Sequence, residues 1–150
     1  MTPQQLQNQL FEASQAAFEQ AAFMLVSRKP DDVQAAARIE QAVSVSIEGP
    51  LSGRMVLGVS RELFPVLAGN MVGDDTPLPE DQQRDALGEM ANIIAGAILP
   101  VLSGPSTVFR LGRPEPTDLA VEEARSDIDR AVRIDLGVDE GRAEILLWLE

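Results

Sequence analysis

Leu6, Leu10, Ala13, Ala17, Ala21 and Met24 recur at helical spacing, which predicts an amphipathic helix over residues 3 to 27. Thr2 is placed to cap it, and Pro3 suits a first turn, where its missing N–H costs nothing. Beyond RKPDD the period drops to two: Val43, Val45 and Ile47 alternate with serines, and Met55, Leu57 and Val59 alternate again. Alternation of this kind marks half-buried strands, and Gly49, Pro50 and Gly53 supply the turn of a hairpin. Ser60 is then expected to cap a short helix, RELFPVLAGNMVG, with Pro65 close enough to its start to be tolerated.

GDDTPLP breaks the chain before a second long helix containing DALGEMANIIAGAILP, residues 85 to 100, which Pro100 and the SGP at 103 to 105 should end. STVFRLG reads as a third strand and RPEPTD as a loop without strand character. Ile128, Val132, Ile134 and Leu136 alternate, VDEGR turns, and AEILLWLE returns as a strand so apolar that it belongs in the middle of a sheet or in an interface. The predicted order is helix-strand-strand-helix, then helix-strand-strand-strand. Each half opens on a long helix followed by paired strands, a hint of internal duplication. Hairpin connections favour an α+β fold, a mainly antiparallel sheet with long helices packed on it, and 150 residues suit one domain spanning 1–150.

Composition removes several chemistries. Cysteine and histidine are both absent, which excludes disulfides, thiolate metal sites and catalysis by a serine–histidine or cysteine–histidine pair. No metal site in the chain is expected. Twenty-four acidic against 12 basic residues give a net charge of −12, a field that repels phosphate backbones and argues against nucleic-acid binding. The opening MTPQQLQNQLFEAS has neither a basic segment nor a continuous apolar run, and no window resembles an uncharged membrane span. A cytoplasmic protein without a membrane partner is expected.

The second long helix carries the candidate chemistry. Projected at helical pitch, Leu87, Met90, Ile94, Ala97 and Ile98 cluster within about a third of the circle, while Asp85, Glu89, Asn92 and Gly96 share the opposite strip. Gly88 and Gly96 each cost a helix interior about 1 kcal/mol relative to alanine, and asparagine is a poor helix former. Two readings remain open on spacing alone. The glycines let a partner approach while Glu89 and Asn92 project into it, or they serve helix packing inside the protein and the polar pair is ordinary surface.

DALGEMANIIAGAILP resembles the signature helix of the CheC/CheX/FliY family of chemotaxis phosphatases, with Asp85, Glu89 and Asn92 matching the three polar positions of its pattern. GPLSGRMVLGVSRELFPVLAGNMVG is similar to the family's strand and short helix, and the likeness runs over roughly residues 40 to 148. The family pattern places a proline a little over twenty residues after the asparagine; here Pro114 and Pro116 bracket that position. Glu12 and Gln15 repeat the motif spacing in the first helix with glutamine in place of asparagine, and read as surface decoration.

The resemblance implies hydrolysis of the aspartyl phosphate on a response-regulator receiver domain such as phosphorylated CheY. Asn92 would orient the attacking water, Glu89 would pair with the receiver's active-site lysine, Asp85 would help position the partner, and Gly88 and Gly96 would give clearance. Mg²⁺ would come with the receiver, and this chain would bind no cofactor. A non-catalytic docking module that binds a receiver or another signalling protein is the alternative. The resemblance also implies a homodimer through the sheet, for which the closing strand EILLWLE offers an edge.

Overall fold

The computed structural model describes residues 1–150. Thr2 caps the first helix, α1 (Pro3–Ala22), in a reciprocal box: its hydroxyl accepts from the Gln5 N–H at 3.1 Å, and the Gln5 side chain accepts from the Thr2 N–H at 2.8 Å. The helix stops before residue 27, at Phe23, which adopts the left-handed conformation (φ 55°). What stops it is a long-range pairing. The Leu25 N–H donates to the Asp139 carboxylate and the Asp139 N–H donates to the Leu25 carbonyl, both at 2.8 Å. The chain then runs as β1 (Val26–Ser27) beside residues 137 and 138. AFMLV is apolar enough for either structure, and the tertiary partner decides.

A short α2 (Asp32–Ala36), capped by Asp31, leads into the expected hairpin, β2 (Ile39–Glu48) and β3 (Gly53–Ser60). Ser60 does not cap the next helix. It ends β3, and its hydroxyl accepts from the Arg142 N–H at 3.1 Å, while α3 (Leu63–Val72) begins without a side-chain cap. The second long helix, α4 (Glu80–Ser103), continues through Pro100 to Gly104, because a proline in the last turn forfeits only one hydrogen bond. Glu80 and Asp81 in its first turn offset the helix dipole where no side-chain cap exists. By length and mean hydropathy (1.6) α4 could cross a membrane, but half of that stretch is buried inside the fold, as in a packed core helix.

The third predicted strand shrinks to β4 (Arg110–Leu111), and RPEPTD, expected to be a loop, contains β5 (Glu115–Thr117). β4 and β5 both pair with the free edge of β2, where Pro116 lies opposite Val43. Proline is admissible there because an edge residue can turn its N side to solvent. After α5 (Leu119–Glu123) and a single 3₁₀ turn that takes Ile128 out of the predicted strand, β6 (Val132–Val138) and β7 (Gly141–Leu149) close the sheet.

The result is an α+β fold with a seven-stranded antiparallel sheet in the order β1-β6-β7-β3-β2-β4, with β5 also on β2. The order is nearly palindromic about β7 and β3. The two hairpins meet at their second strands, and the short strands that follow α1 and α4 each pair with the other half's hairpin. The two halves are thus related by an approximate symmetry of topology. β7 is central, hydrogen-bonded to β6 on one side and β3 on the other. It offers no free edge, so the edge expected for a sheet-mediated dimer is not there.

α1, α3 and α4 cover one face of the sheet, and the main core forms between them from residues such as Leu10, Phe18, Leu57, Leu87, Met90, Ile94 and Ile145. Ala97, expected in that buried set, is exposed. On the other face Leu146 and Trp148 of β7 join Ala42, Val56 and Leu119 in a second, smaller core under α5. The Trp148 indole N–H donates to the Asp127 carbonyl at 3.0 Å, and the Arg54 and Arg125 guanidinium groups lie 5.7 and 5.5 Å from its ring centre.

Glu122 locks this second layer. Its buried carboxylate takes a forked pair of hydrogen bonds from Arg54 on β3 and one from the Thr117 hydroxyl at 2.7 Å. Burial pushes its pKa up, but those hydrogen bonds and the charges of Arg54 and Arg125 outweigh burial and leave it below the usual 4.5. A carboxylate held below its unfolded value stabilises the fold at every pH above about 4.5, and that contribution is lost as pH falls through the folded-state value. Glu122→Gln is expected to cost about 2 kcal/mol at pH 7. In urea unfolding from pH 6 to pH 3, the gap between wild type and variant should narrow as acid is added.

Candidate functional site

α4 presents an acidic column to solvent. Asp81, Asp85 and Glu89 follow one another at four-residue intervals, all exposed. Only the first sits in the opening turn, where the dipole favours an acid. Like charges four residues apart on a helix repel by about 0.2–0.5 kcal/mol a pair, and the one ion pair within α4 joins Arg84 to Glu80 at 2.9 Å. The column is a local cost with no structural return.

Asp85 and Glu89 stand on a crest between two grooves. On one side lies a groove of about 590 Å³, walled by α4 and by residues 113–116, with Asn92 and Val43 in its lining. On the other lies a smaller, more apolar groove of about 360 Å³, floored by Ala21, Met71, Ala86 and Ile93. An edge with hollows on both flanks can enter a concavity in a partner, which a flat helix face cannot.

Asn92 sits one turn beyond Glu89, half-buried, and its side-chain carbonyl oxygen is buried with no hydrogen-bond partner. A buried acceptor left unsatisfied costs about 1–3 kcal/mol and calls for an explanation. Asn92 lines the larger groove, and no hydrogen bond within the chain fixes its side-chain amide. Asn92 thus holds a donor and an acceptor that the fold leaves uncommitted.

The two glycines have different roles. Gly88 is buried, and a β-carbon built on it would come within 2.9 Å of the Pro114 side chain. Its clearance, expected for a partner, is taken by the chain's own Pro114, which docks the 113–116 wall onto α4. Gly96 is exposed with nothing within 4 Å of an added β-carbon, so no internal packing accounts for it. Of the two flanking prolines, Pro114 packs on the helix while Pro116 sits in β5.

Sequence reasoning missed the wall itself. RPEPTD carries no strand signature, and only the proline at a family-like distance from Asn92 pointed to it. Glu12 is exposed and Gln15 half-buried on α1. Nowhere do three or more Asp or Glu side chains converge as a metal cage.

The family described as chemotaxis phosphatase CheX matches residues 41–135, a stretch that includes all of α4 and the 113–116 wall. No curated protein matches the chain by sequence. Among solved structures, the chemotaxis protein CheX of Vibrio vulnificus superposes with a TM-score of 0.73 at 16% identity, over 100% of this chain and 99% of that one. A CheX of Desulfovibrio desulfuricans gives 0.71 at 16% identity, over 97% and 99% of the two chains. A chain from the CheX–CheY–BeF3–Mg²⁺ complex of Borrelia burgdorferi gives 0.62 at 13% identity, over 95% and 96%. Likeness at such identity establishes the fold.

Three substitutions on α4 separate the effects. Asn92→Ala should leave stability unchanged or raise it by about 0–1 kcal/mol, since it deletes an orphaned acceptor and a poor helix former. Gly96→Ala should stabilise by about 1 kcal/mol at an open helical position. Gly88→Ala should destabilise, by about 1–3 kcal/mol, because the new methyl meets Pro114. Chemical denaturation of the three variants beside wild type reads all of these signs.

Proposed function

The chain belongs to the CheX chemotaxis phosphatase family, and on that premise we propose that it hydrolyses the aspartyl phosphate of a CheY-like response-regulator receiver, with the α4 crest as the edge that enters the receiver's site. One observation carries the reading: Asn92 keeps a side-chain amide without an intrachain hydrogen bond, in the groove one turn beyond the exposed Glu89 of the crest.

The chemistry asks little of the protein. An aspartyl phosphate is an activated mixed anhydride, so the task is to hold one water in line with the bond that breaks. Asn92 is suited to that task because its oxygen accepts a hydrogen from water and its NH₂ donates to a phosphoryl oxygen, and neither group titrates near neutrality. As the water oxygen bonds to phosphorus, the bond from phosphorus to the aspartyl oxygen breaks. The receiver carboxylate is restored and inorganic phosphate leaves. Glu89, exposed on the crest, would pair with a lysine of the receiver. Mg²⁺ would be the receiver's. The Borrelia burgdorferi complex, which brings CheX together with CheY, BeF3 and Mg²⁺, supports a partner of this type. The clearance at Gly96 fits the same use, since an exposed glycine lets a partner's backbone lie against the helix.

The test is release of inorganic phosphate from phosphorylated receivers encoded in the same genome. Asn92→Ala is expected to lower the turnover rate by about 100-fold or more while binding of the beryllofluoride-charged receiver stays within a few-fold of wild type. Glu89→Ala should weaken both binding and turnover. Equal acceleration by wild type and Asn92→Ala would refute the role of Asn92, and a wild-type chain that binds the receiver without hastening phosphate release beyond the receiver's own rate would refute the phosphatase assignment and leave a docking module.

A further inference from the structure

The groove beside the crest is strongly acidic for a surface meant to meet a phosphoryl group. Asp81, Asp85, Glu89 and Glu115 line it, against two cations, Arg84 and Arg113. Arg84 is held by Glu80 at 2.9 Å. Arg113 is exposed, and no carboxylate lies within 4 Å of its guanidinium, nor does its side chain donate a hydrogen bond within the chain. It is the uncommitted cation of the groove that holds Asn92.

Its backbone is pinned on both sides. The Gly112 N–H donates to the Ser46 carbonyl at 2.8 Å, and a β-carbon at 112 would meet the Ser46 hydroxyl, so the loop lies close against β2 here. On the other side Pro114 rests on Gly88, and Glu115 enters β5 opposite Ser44. Gly88 lies four residues before Asn92, hence directly below it on the same helical face. Arg113 is therefore carried on a fixed loop facing the turn of α4 that bears Asn92 and Glu89, with a long side chain free to reach.

We propose that Arg113 is a further catalytic residue of this site, its guanidinium contacting the phosphoryl oxygens of the receiver's aspartyl phosphate while Asn92 holds the water. The inference rests on the phosphatase reading and adds to it the group that meets the negative charge. In phosphoryl transfer, charge spreads over three equatorial oxygens. Carboxylates repel that charge and an amide meets it only weakly, whereas the planar guanidinium fork matches two phosphoryl oxygens and stays protonated throughout. Arg113 donates hydrogen bonds only: water oxygen bonds to phosphorus, the aspartyl oxygen departs, and no bond to arginine forms or breaks. Glu89 and Asp85 are then left to the cationic groups of the receiver.

Single-turnover and steady-state dephosphorylation by the full chain test this, using a CheY-like receiver charged with acetyl phosphate in Mg²⁺. Arg113→Ala is expected to lower kcat by about 10- to 100-fold with KM changed less than about threefold, and Arg113→Lys to recover part of the loss. Urea unfolding of both variants should match wild type, since the side chain has no intrachain partner. A kcat within about twofold of wild type for Arg113→Ala, or a loss seen in KM alone, overturns the catalytic role, and an inactive Asn92→Ala measured alongside leaves the phosphatase reading standing. A wild-type chain that releases no phosphate from any receiver overturns both.

Discussion

From Ile145 to Trp148 β7 is apolar on both of its faces, and that constraint shapes everything around it. Ala143, Ile145 and Leu147 point into the core under the helices, while Leu146 and Trp148 point the other way. A central strand of this kind needs cover on two sides. The helices supply one layer, and the segment from 117 to 131 supplies the other, with Leu119, Ile128 and Ala131 on the second apolar patch and Glu122 clamped to Arg54. To travel from α4 to that second layer the chain must pass around the β2 edge of the sheet. It does so through β4 and β5, and the crossing brings residues 113–116 against α4 at Gly88. The groove at Asn92 is a by-product of covering the far face.

α4 shows what a helix gives up when its two faces have different tasks. Leu87, Met90, Ile94 and Ile98 are fully buried and tie the helix to the sheet and to its neighbours. On the other face the choices run against stability: acids repel at four-residue intervals, Gly96 sits where alanine would be better, and Asn92 buries an acceptor with no partner. Local rules broken without a structural return point to a functional site. The buried face is strong enough to hold the helix in place regardless, which is why the exposed face can tolerate these costs.

The sequence was most legible where local periodicity and the final burial agree. α1 with its Thr2 cap, the β2–β3 hairpin, the long α4 and the closing β6–β7 hairpin all follow from spacing and turn residues, and the centrality of β7 follows from its continuous apolar run. Boundaries went astray where a distant partner overrules the local signal. Residues 24 to 27 leave the helix because Asp139 and the end of β6 capture them. Ser60 looked like a cap and instead serves the Arg142 backbone. β5 was invisible because its prolines argue against a strand, and only an edge position, known once β2 has no other neighbour there, makes them acceptable.

For the candidate site the division is sharper. Helical periodicity alone determined that Asp85, Glu89, Asn92 and Gly96 share one face of a helix whose other face is core, because angular position follows from residue number. Periodicity could not reveal what stands opposite that face. The pairing of Gly88 with Pro114, the wall that carries Arg113, the second groove that makes the acidic column a crest, and the loss of a free edge at β7 all join residues distant in sequence. Only the tertiary structure decided them, because each is a contact whose energy depends on how the sheet is covered on its far side, and no local pattern contains that information.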